Sequence, residues 1–251
     1  MNEDKNEEDA VLKEQNESPP STIEPQVISP VELEEILERH NIWLQSRGEQ
    51  GAMAVFFQAF LQDSYLQGVD LRRADMRKVT MHQAELQWAN LLQADLSEAS
   101  LRRANLHKAK LQQANLESAN LNGANLRAAT LRGAKMKNAD LRDADFLEAD
   151  LSHADLEGAY ARKANLFMAN MREGIFVEAD LRGADRQGGD LSDADLRHCN
   201  LRDAKLAGAD LSCAQLQGAD LLDALGLTQK QIQTAGLDEK TRLPSYLRGE
   251  D

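Results

Sequence analysis

The chain has 251 residues, a formal net charge of −13 and only 4% aromatic residues. Its hydrophobic content of 42% comes mainly from Ala and Leu, which excludes an ordinary aromatic-rich core and asks for a uniform, repetitive interior. The acidity argues against direct nucleic-acid binding, which rests on phosphate neutralisation by Lys and Arg, and two cysteines give no disulfide framework.

Residues 1–28 read as a disordered acidic tail. They hold eight acids against two lysines, Lys5 and Lys13, with Pro19, Pro20 and Pro25 and little to bury. The opening stretch has no apolar segment of the secretory kind. The longest apolar run, around Ala52 to Leu61, is interrupted by Gln58 and is too short to span a bilayer. A cytoplasmic protein without membrane attachment is the expectation.

Residues 29–58 read as an N-terminal helix and cap. Ser29 is placed as N-cap, Pro30 as the first helical residue and Glu32 as the partner of a capping box. Leu33, Ile36, Leu37, His40 and Leu44 follow helical spacing, with Trp43 alongside, and Gly48 and Gly51 end the segment. His40 on this apolar side reads as part of the capping layer, not as a ligand.

From 59 to 224 one signal dominates. Stepping by five from Leu61 to Leu221 gives 33 positions, of which 25 are Leu. The exceptions are Met76, Met81, Met136, Phe146, Ala161, Met171, Phe176 and Arg186. Ala stands almost always two residues before the marker, and Asp or Asn mostly one before. On an α-helix a period of five scatters the leucines over every side. On a strand the odd step flips each one to the opposite side. A chain that turns a corner once per repeat points them all at one axis, and self-similarity of this kind marks stacked repeats. Leucine-rich repeats are the nearest rival, but their unequal Leu spacings are absent.

The units A-D-L-Q-x, A-N-L-x-x and A-D-L-S-x resemble the pentapeptide-repeat family. The resemblance implies an all-β fold: a right-handed quadrilateral parallel β-helix with four quintets per coil. That gives about eight coils and a rod roughly 40 Å long. The segment from Ile36 to Ala54 also resembles the N-terminal cap of some bacterial members. Leu fills the axis, Ala the tight inward slot beside it, and Asp or Asn bonds nearby backbone at the turns. The last two positions of each unit face solvent and carry the variation. Residues 225–251 resemble the family's C-terminal cap: Thr228 and Gln231 cap a short helix, Gly236 ends it, and Leu237, Leu243, Tyr246 and Leu247 cover the last coil.

With four quintets per coil, residues 20 apart stack. His82, His107, His153 and His198 then fall on four different sides and form no metal cluster. Cys199 points inward and Cys213 outward on the opposite side, so they do not pair. No phosphate-binding, dinucleotide or nucleophile-elbow motif occurs. The many Asp residues read as structural. The expectation is therefore a non-enzyme, with no catalytic, cofactor-binding or metal residues and no cofactor.

Three outward features remain. Trp88, Leu147, Phe167 and Met168 share one side and form a candidate protein-interaction patch. Arg142, Arg162, Arg182 and Arg202 form a candidate anion-facing ladder, with Arg102 further back and acids such as Asp143 and Asp203 expected to neutralise it. Charge is also lopsided: 12 basic and 7 acidic residues over 59–137, against 9 basic and 18 acidic over 138–224. Arg186 breaks the core column, and a buried unpaired Arg is costly. The coil is therefore expected to loosen there and release the guanidinium to solvent or to an acid.

The first functional reading is an interaction or scaffold solenoid with a protein partner. The family resemblance implies a second, because some members mimic duplex DNA and act on DNA gyrase, some conferring quinolone resistance. The basic first half counts against it. An isologous homodimer through the apolar patch or the C-terminal cap is compatible with either reading.

Overall fold

The computed structural model describes residues 26–247; the acidic tail lies almost wholly outside them. Helix α1 spans Pro30–Gln45. The Ser29 hydroxyl accepts the Glu32 N–H at 3.2 Å, and Pro30 sits in the first turn, where no N–H is needed. The Glu32 carboxylate, expected to complete the capping box, instead accepts from the Gln26 side-chain amide at 2.9 Å. The helix ends in a Schellman motif, with Gly48 N–H on the Trp43 carbonyl (2.8 Å) and Arg47 N–H on that of Leu44 (3.3 Å). Its left-handed residue is Arg47, with φ 58°. Gly51 serves close approach: a Cβ there would lie 2.3 Å from the Arg39 carbonyl oxygen.

From Val55 onward, every fifth residue bridges in parallel to the residue 20 further on, the last such pair being Lys205 and Leu225. Steps of five that restack after 20 make four sides per coil, and the chain is a right-handed quadrilateral β-helix. Every quintet follows one path. Leu71 points to the axis, and the Ala74 N–H bonds the Leu71 carbonyl at 3.1 Å across a four-residue turn. Arg73, third in that turn, has φ 62°, the mark of a type II turn. Leu71 N–H then bonds the Asn90 carbonyl (2.8 Å) and Arg73 N–H that of Leu92 (3.0 Å), which ties coil to coil. Both inward slots are sealed, as at Leu141 and Ala144. Burying one such Leu contributes about 1.5–3 kcal/mol.

Four faces and four corners follow. Face 1 is centred on Asp140 and its equivalents, face 2 on Asp145, face 3 on Asp150 and face 4 on Asp155, each in its own ladder of bridges. Each face leads into the corner of the same number. The Asp and Asn residues, read from the sequence as corner residues, stand instead at mid-face in the bridge ladders and act on the corner from there. Asp75 accepts the Arg77 N–H at 3.2 Å and Asp150 that of Ser152 at 3.0 Å, Asx turns that pin the bend.

Both ends of the rod are closed. At the first coil, Phe60 N–H bonds the Gln26 carbonyl (2.9 Å) and Ala54 N–H bonds His40 Nδ1 (3.0 Å). Buried His40 stacks on Trp43 with ring centroids 5.7 Å apart, and desolvation holds its pKa below the ordinary value. At the last coil, α2 (Gln229–Thr234) starts with a complete capping box between Thr228 and Gln231. The Gln231 amide also donates to the carbonyls of Leu206 and Ala209, and the Tyr246 hydroxyl to that of Ala224. Leu216 and Leu221 N–H groups bond Gly236 and Arg242 carbonyls at 2.7 and 2.8 Å. The edge that would template aggregation is thereby covered.

Arg186 overturns the expectation of a loosened coil. It is fully buried, and its three guanidinium nitrogens have no hydrogen-bond partner among the described residues. Its carbon Cζ lies 5.5 Å from the Phe176 ring centroid. The coil stays closed around it, with Arg186 N–H on the Lys205 carbonyl (2.9 Å) and Gly188 N–H on that of Ala207 (3.0 Å). Loosening would forfeit these bonds and bare the neighbouring leucines. Room comes from glycine in two Ala slots. A Cβ on Gly174 would lie 2.7 Å from the Phe176 ring, and one on Gly189 3.1 Å from Met171 Cε. Desolvation brings the Arg186 pKa down to about 10.

Candidate protein-interaction surface

Corner 2 carries the apolar residues singled out in the sequence. Phe167 and Met168 are 38% and 55% exposed, while Leu147, one coil away at the equivalent position of Phe167, is half-buried. Trp88 is 57% exposed and stands three coils from Leu147, its indole edge-on to His107 at 6.3 Å. The register thus brings Leu147, Phe167 and Met168 together and leaves Trp88 apart. Beyond Met168 the corner flattens into Gln187, Gly188, Ala207 and Gly208. Leu147, Phe167 and Met168 sit in turn slots filled elsewhere mainly by polar or small residues, so their apolarity is not a demand of the coil.

The Arg ladder of corner 1 is not one surface. Arg142 forks onto Asp140, with Nε to Oδ1 at 2.8 Å and Nη2 to Oδ2 at 2.6 Å, and Arg182 forks onto Asp180 in the same way. Arg202 reaches Asp220 (3.5 Å) and Asp223 (3.3 Å). Arg162 makes no ion pair among the described residues. The ion pairs therefore go to mid-face acids and to Asp223; Asp143 acts on Arg142 as a nearby charge without an ion pair, and Asp203 makes no ion pair among the described residues.

A local rule explains which arginines are paired, and the tripeptide preceding each one carries it. Where Asp stands two residues before Arg, as at Asp70, Asp75, Asp140, Asp180 and Asp195, the side chains form a fork within one quintet. Where Asn stands there, the Arg reaches an acid elsewhere, as Arg127 does to Asp145 and Arg202 to Asp220. With Ser100, Thr130 or Tyr160 in that place, Arg102, Arg132 and Arg162 have no ion pair among the described residues. The fork holds the carboxyls of Asp75, Asp140, Asp180 and Asp195 below their ordinary pKa.

His82, His107, His153 and His198 lie at corners 1, 2, 3 and 4 respectively. Cys199 is buried, its Sγ donating to the Ala179 carbonyl at 3.2 Å, and desolvation pushes its thiol up to about 12. Cys213 is exposed, and both thiols are free. Among the described residues no group of His, Cys, Asp and Glu is placed to hold a metal, and no helix is long and apolar enough to cross a membrane.

Five segments, residues 54–91, 81–117, 109–146, 149–188 and 190–224, match the family described as pentapeptide repeats (8 copies). No curated protein matches. Among solved structures, HetL is a pentapeptide repeat protein involved in heterocyst differentiation regulation in the cyanobacterium Nostoc sp. strain PCC 7120. It is 37% identical over 69% of this chain and 81% of HetL, with a TM-score of 0.41. QnrB1, a plasmid-mediated fluoroquinolone resistance protein, is 19% identical over 72% of this chain and 91% of its own, with a TM-score of 0.41. A pentapeptide repeat protein from the Arabidopsis thaliana thylakoid lumen is 25% identical over 59% of this chain and 77% of its own, with a TM-score of 0.21. Because the family match runs the length of the quintet ladder, the chain belongs to the pentapeptide-repeat family.

Proposed function

We propose that this protein is a non-enzymatic, cytoplasmic interaction rod that binds a protein partner through corner 2. The observation that carries the reading is the cluster of Leu147, Phe167 and Met168 in solvent-facing turn slots. A rigid coil fixes these side chains in advance, so little ordering entropy is lost on contact. The test is capture of partners by the immobilised full chain, compared with the variant L147S/F167S/M168K. Unchanged capture by the triple variant would remove corner 2 from the proposal.

The net −9 of residues 138–224 favours a second reading, a short duplex mimic acting on DNA gyrase, in keeping with the resistance role of QnrB1. Against it stand the basic first half and the arginine forks, which neutralise mid-face acids such as Asp140, Asp180 and Asp195. A supercoiling assay with purified gyrase decides: no protection and no inhibition at micromolar protein discards the mimic. Neither reading involves direct nucleic-acid binding, a membrane or a cofactor.

A further inference from the structure

Face 2 runs between the charged edge of corner 1 and the apolar edge of corner 2. Its corner-1 edge carries a column of exposed charges. Arg103, Asp143, Lys163 and Asp203 make no ion pair among the described residues. They occupy one equivalent turn position in the order basic, acidic, basic, acidic along the rod, with Asp63 and Asp223 holding the same position towards its two ends.

We propose that face 2 is the seat of a second copy of this chain, lying antiparallel against it about a two-fold axis that crosses the face between Asp145 and Asn165. The proposal rests on the reading of corner 2 as a contact surface and names its partner. A dyad perpendicular to the rod brings each corner opposite the same corner of the other copy, with the order of coils reversed. On the corner-1 edge, Asp143 meets Lys163 of the second copy and Arg103 meets Asp203, each pair occurring twice. At mid-face, Asp145 meets Asn165 and Asn125 meets Asp185, a carboxylate opposite an amide donor in both cases. On the corner-2 edge, Leu147 meets Phe167 twice, so both copies of the apolar cluster gather beside the axis. Gly123 and Gly183, both with positive φ and no side chain, fall opposite one another and let the backbones approach. No like charges meet on this face in this register.

The placement of charge on face 2 selects the antiparallel order. A dyad parallel to the rod would set corner 1 against corner 2 of the same coil, with Asp143 and Lys163 opposite Leu147 and Phe167 and no opposite charge to meet. The overlap spans about seven coils at about 4.8 Å each, on a face a few residues wide. That falls toward the small end of specific interfaces, so a dimer dissociating in the micromolar range is expected.

Light scattering and sedimentation equilibrium of the full chain, from 1 to 200 μM on the order of affinity expected for so small a face, are the primary test. A concentration-dependent dimer is expected, weakened by salt. K163D places two acids opposite each other at both symmetry-related pairs and is expected to weaken the dimer roughly tenfold or more. The double exchange D143K/K163D restores opposite charges and is expected to recover most of the loss, while both variants keep the wild-type circular dichroism. A monomer throughout the range overturns the proposal, as does a dimer indifferent to K163D or one that the double exchange fails to rescue. Partner capture by corner 2, tested with the monomeric K163D protein and its L147S/F167S/M168K derivative, then stands or falls separately.

Discussion

Replacing Arg186 with Leu is expected to stabilise the protein, against the usual direction of a core substitution. The guanidinium is fully buried with no hydrogen-bond partner for its three nitrogens. Burial brings its pKa down from the ordinary arginine value to about 10. At 1.36 kcal/mol per tenfold change in proton affinity, the ionised side chain is disfavoured in the fold by about 3 kcal/mol. Because the folded pKa lies below the unfolded one, that cost is present in full below about pH 10 and fades only as pH rises from there toward the ordinary arginine value. Leu restores an apolar side chain to the column but leaves some of the space of the longer Arg unfilled, and it forgoes the Phe176 ring contact. A net gain of up to about 3 kcal/mol follows, or at most roughly 6–12 °C in Tm for an ordered unit of this size. Arg186→Met is the shape control, since its unbranched stem fits the same channel without charge. Guanidinium melts of the three proteins at pH 7 provide the measurement, with an unchanged m-value showing that the coil still unfolds as before. If both variants prove less stable than the parent, the guanidinium has partners in solution and the account of a sealed, unpaired cation is wrong.

Lys108→Gly is expected to stabilise by up to about 1 kcal/mol, because Lys108 holds φ at 57°, whereas Lys110→Gly at mid-face is expected to destabilise; thermal melts of the pair separate turn strain from a general glycine effect. Below the ordinary His pKa of 6.5, the N-terminal cap is expected to lose stability until pH falls past the lowered pKa of His40. Faster exchange of the Ala54 amide under those conditions, abolished in His40→Gln, would show it. Acid unfolding is expected to begin as pH falls below the ordinary Asp value of 3.8 and through the lowered pKa values of Asp75, Asp140, Asp180 and Asp195, and changing all four to Asn should flatten that limb of the titration. Leu141→Ala is expected to cost about 2–5 kcal/mol by opening a hole in a column that has no slack, read from the same denaturant melts.

The period of five made the coil and the side of every residue legible, because side-chain direction in a stacked quintet is fixed by position alone. It placed Cys199 inside and Phe167 outside without coordinates. It misjudged Arg186, because the cost of burial was weighed without the backbone ladder that holds the coil shut and without the space freed at Gly174 and Gly189. The direct partners of the arginines were also missed, Asp140 and Asp180 among them. The sequence does carry that signal, in the residue two places before each Arg, but it is visible only once Asp and Asn are known to stand at mid-face with their side chains leaning forward. The identity of the left-handed residues at the corners was hidden for another reason. Lys, Gln, Glu and His hold positive φ here alongside Gly, since tertiary stacking overrides their local preference at some cost in strain.

Restacking after 20 residues makes chain length a kind of compass. Removing one whole coil would shorten the rod and leave every surface feature pointing where it did. Removing a single quintet would keep the hydrophobic column intact and the fold sound, yet swing everything beyond the cut through a quarter of a revolution. Corner 2 would then be split, its early members looking one way and its late members another. A protein of this design can therefore lose its binding surface without losing a contact in its core, and the bearing between any two marks on its flank is set by the number of residues between them.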